Sequence, residues 1–393
     1  MKTSWEDPNQ LLDVRIRVRH SGNVADEIGA ESERRPLSRR AVIAGGAVAA
    51  AGVVGGGIVL SVRDRGATTA PAVPVRPADI SLPVGEFDAV EGISPFTTPL
   101  EDHFFIDAAN QRPVLDRDTY SLRVGGPFAR NPLTLSYDDL VAREQVSRQI
   151  CLACVSNPVG GKLVSNLVWT GVPLSVLLDE AGIEDPIDPE IQVFSTGADG
   201  YTAGFRAPLA YDGRTAMVAL LMNGEPLPAA HGFPARLVMA GEFAYTSATK
   251  WLESIELNEF DEVSAFWQIR GWAKEAPVKT SSRIDTHTSG DQLSPGAQVI
   301  AGVAWAPSHG IERVEVGIAD VANPEEITWQ DATIGSVESD ETWVQWRYDW
   351  DAPAGEWAVW VRATDKSGFT QSSTVVPAAP DGAEGHHSAF LRV

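Results

Sequence analysis

Between about Phe87 and Arg270 the chain mixes short runs that alternate every second residue with short runs that repeat every three or four. In "SYDDLVARE", Ser136 followed three residues later by Asp139 is a capping-box arrangement and predicts a helix start. In "VPLSVLLDEAGI", Pro173 stands at a helix start, Leu174, Leu177, Leu178 and Ala181 share one face, and Gly182 marks the stop. "EIQVFSTG" and "RLVMAG" lie between turn signals and predict strands. The pattern predicts a mixed α+β domain. From about Ser282 the helical period disappears. "AQVIAGVAWAP", "IERVEVGIAD", "TWVQWRYDW", "EWAVWVRATD" and "HSAFLRV" are alternating runs separated by Gly, Pro, Asp and Asn, which predicts an antiparallel β-sandwich. Within it Val359 and Val361 face one way and Arg362 and Thr364 the other. The tryptophans concentrated there suit a large core or an association surface.

The first part of the chain has another texture. "SRRAVIAGGAVAAAGVVGGGIVLSV" sets Arg39 and Arg40 before an uncharged run rich in Gly and Ala, from Ala41 to Val62. A paired arginine before a weakly apolar segment matches the twin-arginine export pattern, and a plain membrane helix is the competing reading. Ala70-Pro71-Ala72 offers small residues for cleavage, and retention as an anchor is the alternative. The expected organisation is a polar, disordered cytoplasmic region over 1–37, a signal or anchor over 38–65, a stiff Pro/Ala-rich tether over 66–86, the mixed domain over 87–281 and the sandwich over 282–393.

A length of 393 residues with 44% hydrophobic positions supports two or three folded domains. The net charge of −22, from 31 Lys+Arg against 53 Asp+Glu, repels phosphate backbones and anionic headgroups and argues against a nucleic-acid partner. Two cysteines, Cys151 and Cys154, are too few for a disulfide framework or a four-thiolate zinc site. Their C-x-x-C spacing fits thiol exchange, yet "VSNPVGG" after Cys154 breaks the helix that such a motif needs. A short structural disulfide is open, as is an isolated buried thiol, the preferred reading for Cys151 between Ile150 and Leu152. The histidines suggest no zinc site: His20, His103, His287 and His309 are scattered, and His386 and His387 are adjacent on an expected strand, pointing to opposite faces.

"CVSNPVGGKLVSNLVWTGVPLSVLLDEAG" resembles the core motif of the sulfite oxidase family of molybdenum enzymes. The resemblance continues through "ISPFTTPLEDHFF", "MNGEPLPAAHGFPARLVMAG", "SATKWLESIEL" and "FWQIRGWA", then into the family's immunoglobulin-like second domain at "VKTSSRID", "IAGVAWAPSHGIERVEV" and "APDGAEGHHS". It implies a sulfite-oxidase-like α+β domain followed by an Ig-like β-sandwich that pairs two chains. It also implies a molybdenum-molybdopterin cofactor, a small-molecule substrate and a separate electron-transfer partner. No segment resembles the haem domain of some members, so no haem is expected.

On this resemblance Cys154 is the metal ligand, a role suited to a soft thiolate. His231, Arg236, Ser247, Ala248, Thr249 and Lys250 fall at cofactor-contact positions, with Asp199 and Phe105 at further ones. Gly160 and Gly161 are expected to let the backbone approach the cofactor. Taken singly, His231 beside Gly232 is equally a turn residue, and Lys250 a solvated cation. Members that oxidise sulfite hold it with arginines and a tyrosine. Here Asp107 and Trp272 stand at such positions, and Val155-Ser156-Asn157-Pro158 carries no arginine, leaving Arg270 as the nearby cation. A carboxylate at the pocket repels sulfite by about 1 kcal/mol or more at close range, which disfavours it as substrate. Two rival readings remain: a metal-free thiol oxidoreductase using Cys151 with Cys154, and a cofactor-free binding module.

Overall fold

Ser136 closes its capping box, accepting a hydrogen bond from the Asp139 amide at 3.1 Å while Asp139 Oδ2 accepts from the Ser136 amide at 2.8 Å. The α-helix Tyr137–Val141 follows. Leu174–Glu180 is likewise helical, its stripe of Leu174, Leu177, Leu178 and Ala181 is fully buried, and Gly182 beyond it takes φ +69. The computed structural model describes residues 80–109, 111–183 and 188–393. The twin-arginine run, the segment before it and most of the expected tether lie outside the described residues. Among the described residues no helix is long and apolar enough to cross a membrane.

The α+β expectation needs correcting toward β. Among the described residues the α-helices are Tyr137–Val141, Leu174–Glu180 and Ala244–Ser247, none longer than two turns. The caps were read correctly, but the stops follow so closely that strands carry the architecture. Ala216–Met222, composed of good helix formers, is a strand buried at every position because strands flank it on both sides.

Two five-stranded sheets build the first region. One runs Leu133–Ser136, Ser121–Gly125, Leu252–Glu259, Ile191–Gly197, Thr202–Arg206, with only the Ser121–Gly125 and Leu252–Glu259 pair parallel. The other runs Val146–Ala153, Val164–Pro173, Ala216–Met222, Glu225–Pro226, with Arg236–Met239 also paired to Ala216–Met222. The second sheet is buried on both faces. Val218 and Leu220 join the core that includes both longer helices, whereas Met217 and Ala219 point into a separate cluster with Ile150, Leu152 and Trp169. That is the strand period of two.

From Ser281 onward two four-stranded sheets share one core. Ser281–Ile284, Gly296–Trp305, Trp343–Ala352 and Thr333–Ile334 form one, and Thr328–Asp331, Ile311–Asp320, Glu356–Asp365 and His387–Arg392 the other. Val359 and Val361 are fully buried, while Arg362 on the opposite face pairs with Glu315 at 2.9 Å. Trp346 and Trp350 fill the core between the sheets.

The two regions meet behind the cysteine strand. Cys151, Ala153 and Val164 pack with Val303, Trp305 and Trp343, and the Cys151 amide donates to Glu341 O at 2.8 Å. Gly160 takes φ +74 where a Cβ would collide with the His387 ring, and Gly161 O accepts from Arg283 Nη1 at 2.8 Å. These glycines therefore serve a close approach of the second region, a correction to their expected place against a cofactor. Gly160→Ala is expected to lower stability by about 1–3 kcal/mol through overpacking and strain. Chemical denaturation of Gly160→Ala alone and combined with His387→Ala checks this, since the second change should recover part of the loss.

Candidate functional site

A cavity of about 740 Å³ opens mainly in the first region, with Ala379 of the second at its wall, and Cys154 lines it. The strand Val146–Ala153 delivers it. Cys151 and Ala153 face the second region, Ile150 and Leu152 face the other way, and Leu152 lines the cavity with Cys154. A loop locked at both ends follows the strand. Cys154 N donates to Leu163 O at 2.9 Å, Asn157 N to Cys154 O at 3.0 Å, and Leu163 N to Asn157 Oδ1 at 2.9 Å. Cys154 Sγ lies 3.0 Å from Ser156 Oγ. Burial pushes its pKa up, and the Ser156 contacts oppose the rise. Such a thiol becomes a thiolate when a bound cation stabilises it.

Cys151 is buried among apolar side chains, its thiol pushed far up by burial, and both cysteines are free. On an extended chain a three-residue separation sends side chains to opposite faces, so the two thiols do not share a site.

The same cavity is lined by residues that carry nitrogen groups, His231 and Arg236. His231 closes the short turn Ala229–His231, and Gly232 at φ +107 lets that turn lie against the Lys250 Cα, 3.0 Å from where a Cβ would sit. Burial, reinforced by the charges of Arg236 and Lys250, pulls His231 down to about 3, so it is neutral at ordinary pH. Its Nδ1 is buried without a hydrogen-bond partner. Arg236, at the start of its strand, donates from Nη1 to His231 O at 3.1 Å and from Nη2 to Ala248 O at 3.4 Å, leaving Nε buried and unpartnered. Burial draws its pKa down to about 10. Unpaired buried polar atoms cost about 1–3 kcal/mol each, and both of these residues line the cavity.

Phe105, Ala248, Lys250, Asp199, Arg270 and Trp272 also lie on the wall. Three expected residues do not. Ser247 donates to Phe243 O at 3.3 Å, and Thr249 Oγ1 lies 2.7 Å from Ser195 Oγ; both are fully buried, so their side chains brace the segment from behind. Asp107 turns aside to pair with Lys250 Nζ and with Arg112 Nε at 2.7 Å. Burial raises its pKa, but the two cations outweigh that and hold it below the usual carboxylate range. Asp107 is thus no free negative charge, and the expected repulsion of sulfite by it falls away.

Sequence reasoning passed over His103, Tyr201, Tyr245 and Trp267. His103 is buried with Nδ1 2.6 Å from Ser165 Oγ and its ring 4.7 Å from that of His231. Tyr201 donates to Tyr245 O at 2.7 Å, and Tyr245 to Ala273 O at 2.7 Å. Spacing carries no signal for these residues, because distant segments bring them together. Among the described residues no group of His, Cys, Asp and Glu could by itself hold a metal ion. One thiolate, a neutral imidazole, two cations and a roomy cavity instead fit a large anionic chelate that brings most of its own ligands to a metal.

Residues 109–267 match the family described as the oxidoreductase molybdopterin binding domain. Mitochondrial sulfite oxidase of Homo sapiens is 28% identical over 309 residues, covering 67% of this chain and 55% of the relative. The NADPH nitrate reductase of Phytophthora infestans is 29% identical over 218 residues, 48% of this chain and 23% of the relative. The chain thus spans about half the length of the mammalian relatives it matches. Among solved structures, the sulfane dehydrogenase SoxCD from Paracoccus pantotrophus superposes with TM-score 0.64 at 20% identity, covering 81% of this chain and 92% of that one, a likeness of fold.

Fold and site together define a molybdopterin-binding domain. Residues 109–267 carry the oxidoreductase molybdopterin binding domain, and the chain is similar to sulfite oxidases.

Lys250 gives the site a pH signature. Burial lowers its pKa from 10.5 to about 8 against the pull of Asp107. Between those values the unfolded chain binds more protons here than the folded one, so this group makes stability rise with pH across that window. In Lys250→Met the stability gain between pH 8 and 10.5, followed by urea denaturation, is expected to shrink. An unchanged slope would show that the ammonium is not desolvated.

Proposed function

We propose that this chain is an oxidoreductase that transfers an oxygen atom to or from a small substrate at a molybdenum-molybdopterin centre and exchanges electrons with a separate carrier. One observation carries the reading. Cys154, His231 and Arg236 line one cavity, and beneath its surface His231 Nδ1 and Arg236 Nε are buried without hydrogen-bond partners. Relatives named sulfite oxidase and nitrate reductase support it.

Cys154 would hold the metal, while His231, Arg236, the Ala248 backbone and Lys250 would hold the pterin and its phosphate. When bound, the group supplies two-electron oxygen-atom chemistry. The chain's own part is to bind, orient and exclude water. Arg236 is fixed by one hydrogen bond from each Nη to a carbonyl, and each Nη keeps a second N–H for an acceptor. His231, neutral at ordinary pH, presents one nitrogen without adding charge. Ser247 and Thr249 fix the loop behind Ala248, so the contact surface is set before the cofactor arrives.

The wider reading extends the same proposal. The arginine pair at 39 and 40 supports twin-arginine export, with the following run as signal or anchor. The two four-stranded sheets after Ser281 support an Ig-like domain that pairs two chains; sedimentation is expected to give twice the 42.1 kDa chain mass.

Metal analysis of protein made in a host that synthesises molybdopterin tests the core. About one molybdenum per chain is expected. Cys151→Ser should keep the metal and its turnover, whereas Cys154→Ser should lose turnover about a hundredfold or more, roughly 2.7 kcal/mol. Wild-type protein without molybdenum, or equal losses in the two variants, would overturn the reading and favour a dithiol enzyme or a binding module.

A further inference from the structure

We infer that the substrate bound at the Cys154 end of the cavity is an uncharged molecule with an apolar or aromatic group beside its reacting atom, and not a free inorganic oxyanion. This rests on the reading above, which gives the His231 and Arg236 end to the cofactor.

The positive charges on the cavity wall are each engaged by neighbouring groups or exposed to solvent. Lys250 is paired with Asp107, which also takes Arg112. Arg236 belongs to the cofactor end and holds His231 O and Ala248 O. Arg270 is exposed at the mouth, lies 3.6 Å over the Phe266 ring and donates to Phe266 O at 2.6 Å, so water and salt screen its charge. His103 and His231 are held neutral by burial and by neighbouring cations. Against these stands Asp199, a carboxyl on the same wall. An oxyanion entering here would shed water without gaining a charged partner, inside a chain of net charge −22.

The wall that carries Cys154 also carries Tyr201, Tyr245, Trp267 and Trp272, with Phe266 in contact with two of them. Tyr201 contacts Phe266 at 5.6 Å between ring centroids, Phe266 contacts Trp267 at 5.2 Å, Trp267 contacts Trp272 at 6.3 Å, and Trp272 contacts Tyr245 at 5.9 Å. The first hydroxyl of this series is spent on Tyr245 O and the last on Ala273 O, so the series offers ring surface and, at Trp267 and Trp272, uncharged indole N–H groups. Ile269, 67% exposed, extends the apolar character to the mouth. Such a surface gains by covering an apolar group on the substrate.

Calorimetric titration of the purified holoenzyme at neutral pH with three probes separates charge from shape. Methyl phenyl sulfoxide is neutral and carries a ring, benzenesulfinate keeps the ring and adds a charge, and dimethyl sulfoxide is neutral without the ring. The sulfoxide with the ring is expected to bind at least tenfold more tightly than either of the others. Trp272→Arg is expected to reverse the preference toward the sulfinate, and Ile269→Arg, at an exposed position that folding tolerates, to narrow the gap. A sulfinate bound as tightly as the aromatic sulfoxide, or a ring that adds nothing, would overturn the inference. Molybdenum measured in each sample separates the two proposals. A metal-free sample that still prefers the aromatic sulfoxide overturns the proposed function alone, and a loaded sample that prefers the sulfinate overturns this inference alone.

Discussion

Everything at the site depends on the alternation of one strand buried on both faces. Val146–Ala153 sends Ile150 and Leu152 into one apolar cluster and Cys151 and Ala153 into another. A shift of one residue would exchange the two sets and carry Cys154 away from the cavity. The register is held by eight paired positions with Val164–Pro173 and by the second region, which covers the Cys151 face with Val303, Trp305 and Trp343. The second region therefore helps to aim the thiol without supplying a residue from its strands to the cavity wall.

The same strand decides between the chemistries that a C-x-x-C spacing allows. On a helix, residues three apart are neighbours and can share a disulfide or a metal. On an extended chain they are on opposite sides, and here one side is a dry core and the other a cavity. The proline and glycines after Cys154 argued against the helix, and the pairing of Cys151 with Asn166 shows the strand that replaced it. The environments diverge accordingly: burial pushes the Cys151 thiol up against the opposing charge of Arg283, whereas Cys154 has a hydroxyl 3.0 Å away and open volume in front of it.

Local signals were legible wherever local chemistry determines the outcome. The Ser136 box, the Leu174 stripe with its glycine stop and the alternating runs after Ser282 could all be read from a few neighbouring residues. What depended on distant partners could not. Gly160 resembles a loop glycine until His387, more than two hundred positions on, occupies the space of its Cβ. Asp107 resembles a charge aimed at a substrate until Lys250 and Arg112 close on it. Ser247 and Thr249 look like ligands because their neighbours are on the wall, yet the chain there is too irregular for adjacency to imply a shared direction. The α+β class was overstated for a related reason, since burial on both faces turns good helix formers such as those of Ala216–Met222 into strand.

The segment from Gly85 to Thr98 shows how the two regions are held as one structure around the site. Phe96 O accepts from Asn166 Nδ2 at 2.9 Å on one side and from Trp343 Nε1 at 3.0 Å on the other. Gln345 Nε2 donates to Asp88 Oδ1 at 2.7 Å and to Ser94 O at 2.9 Å, while Arg283 reaches Ser94 Oγ at 2.8 Å. Both donors to Phe96 O are buried, so neither bond has water as a ready substitute. Asn166 is the cross-strand partner of Cys151, which places this clasp at the level of the strand that presents Cys154. A segment expected to behave partly as tether thus acts, from Gly85 onward, as part of the frame that keeps the thiol facing the cavity.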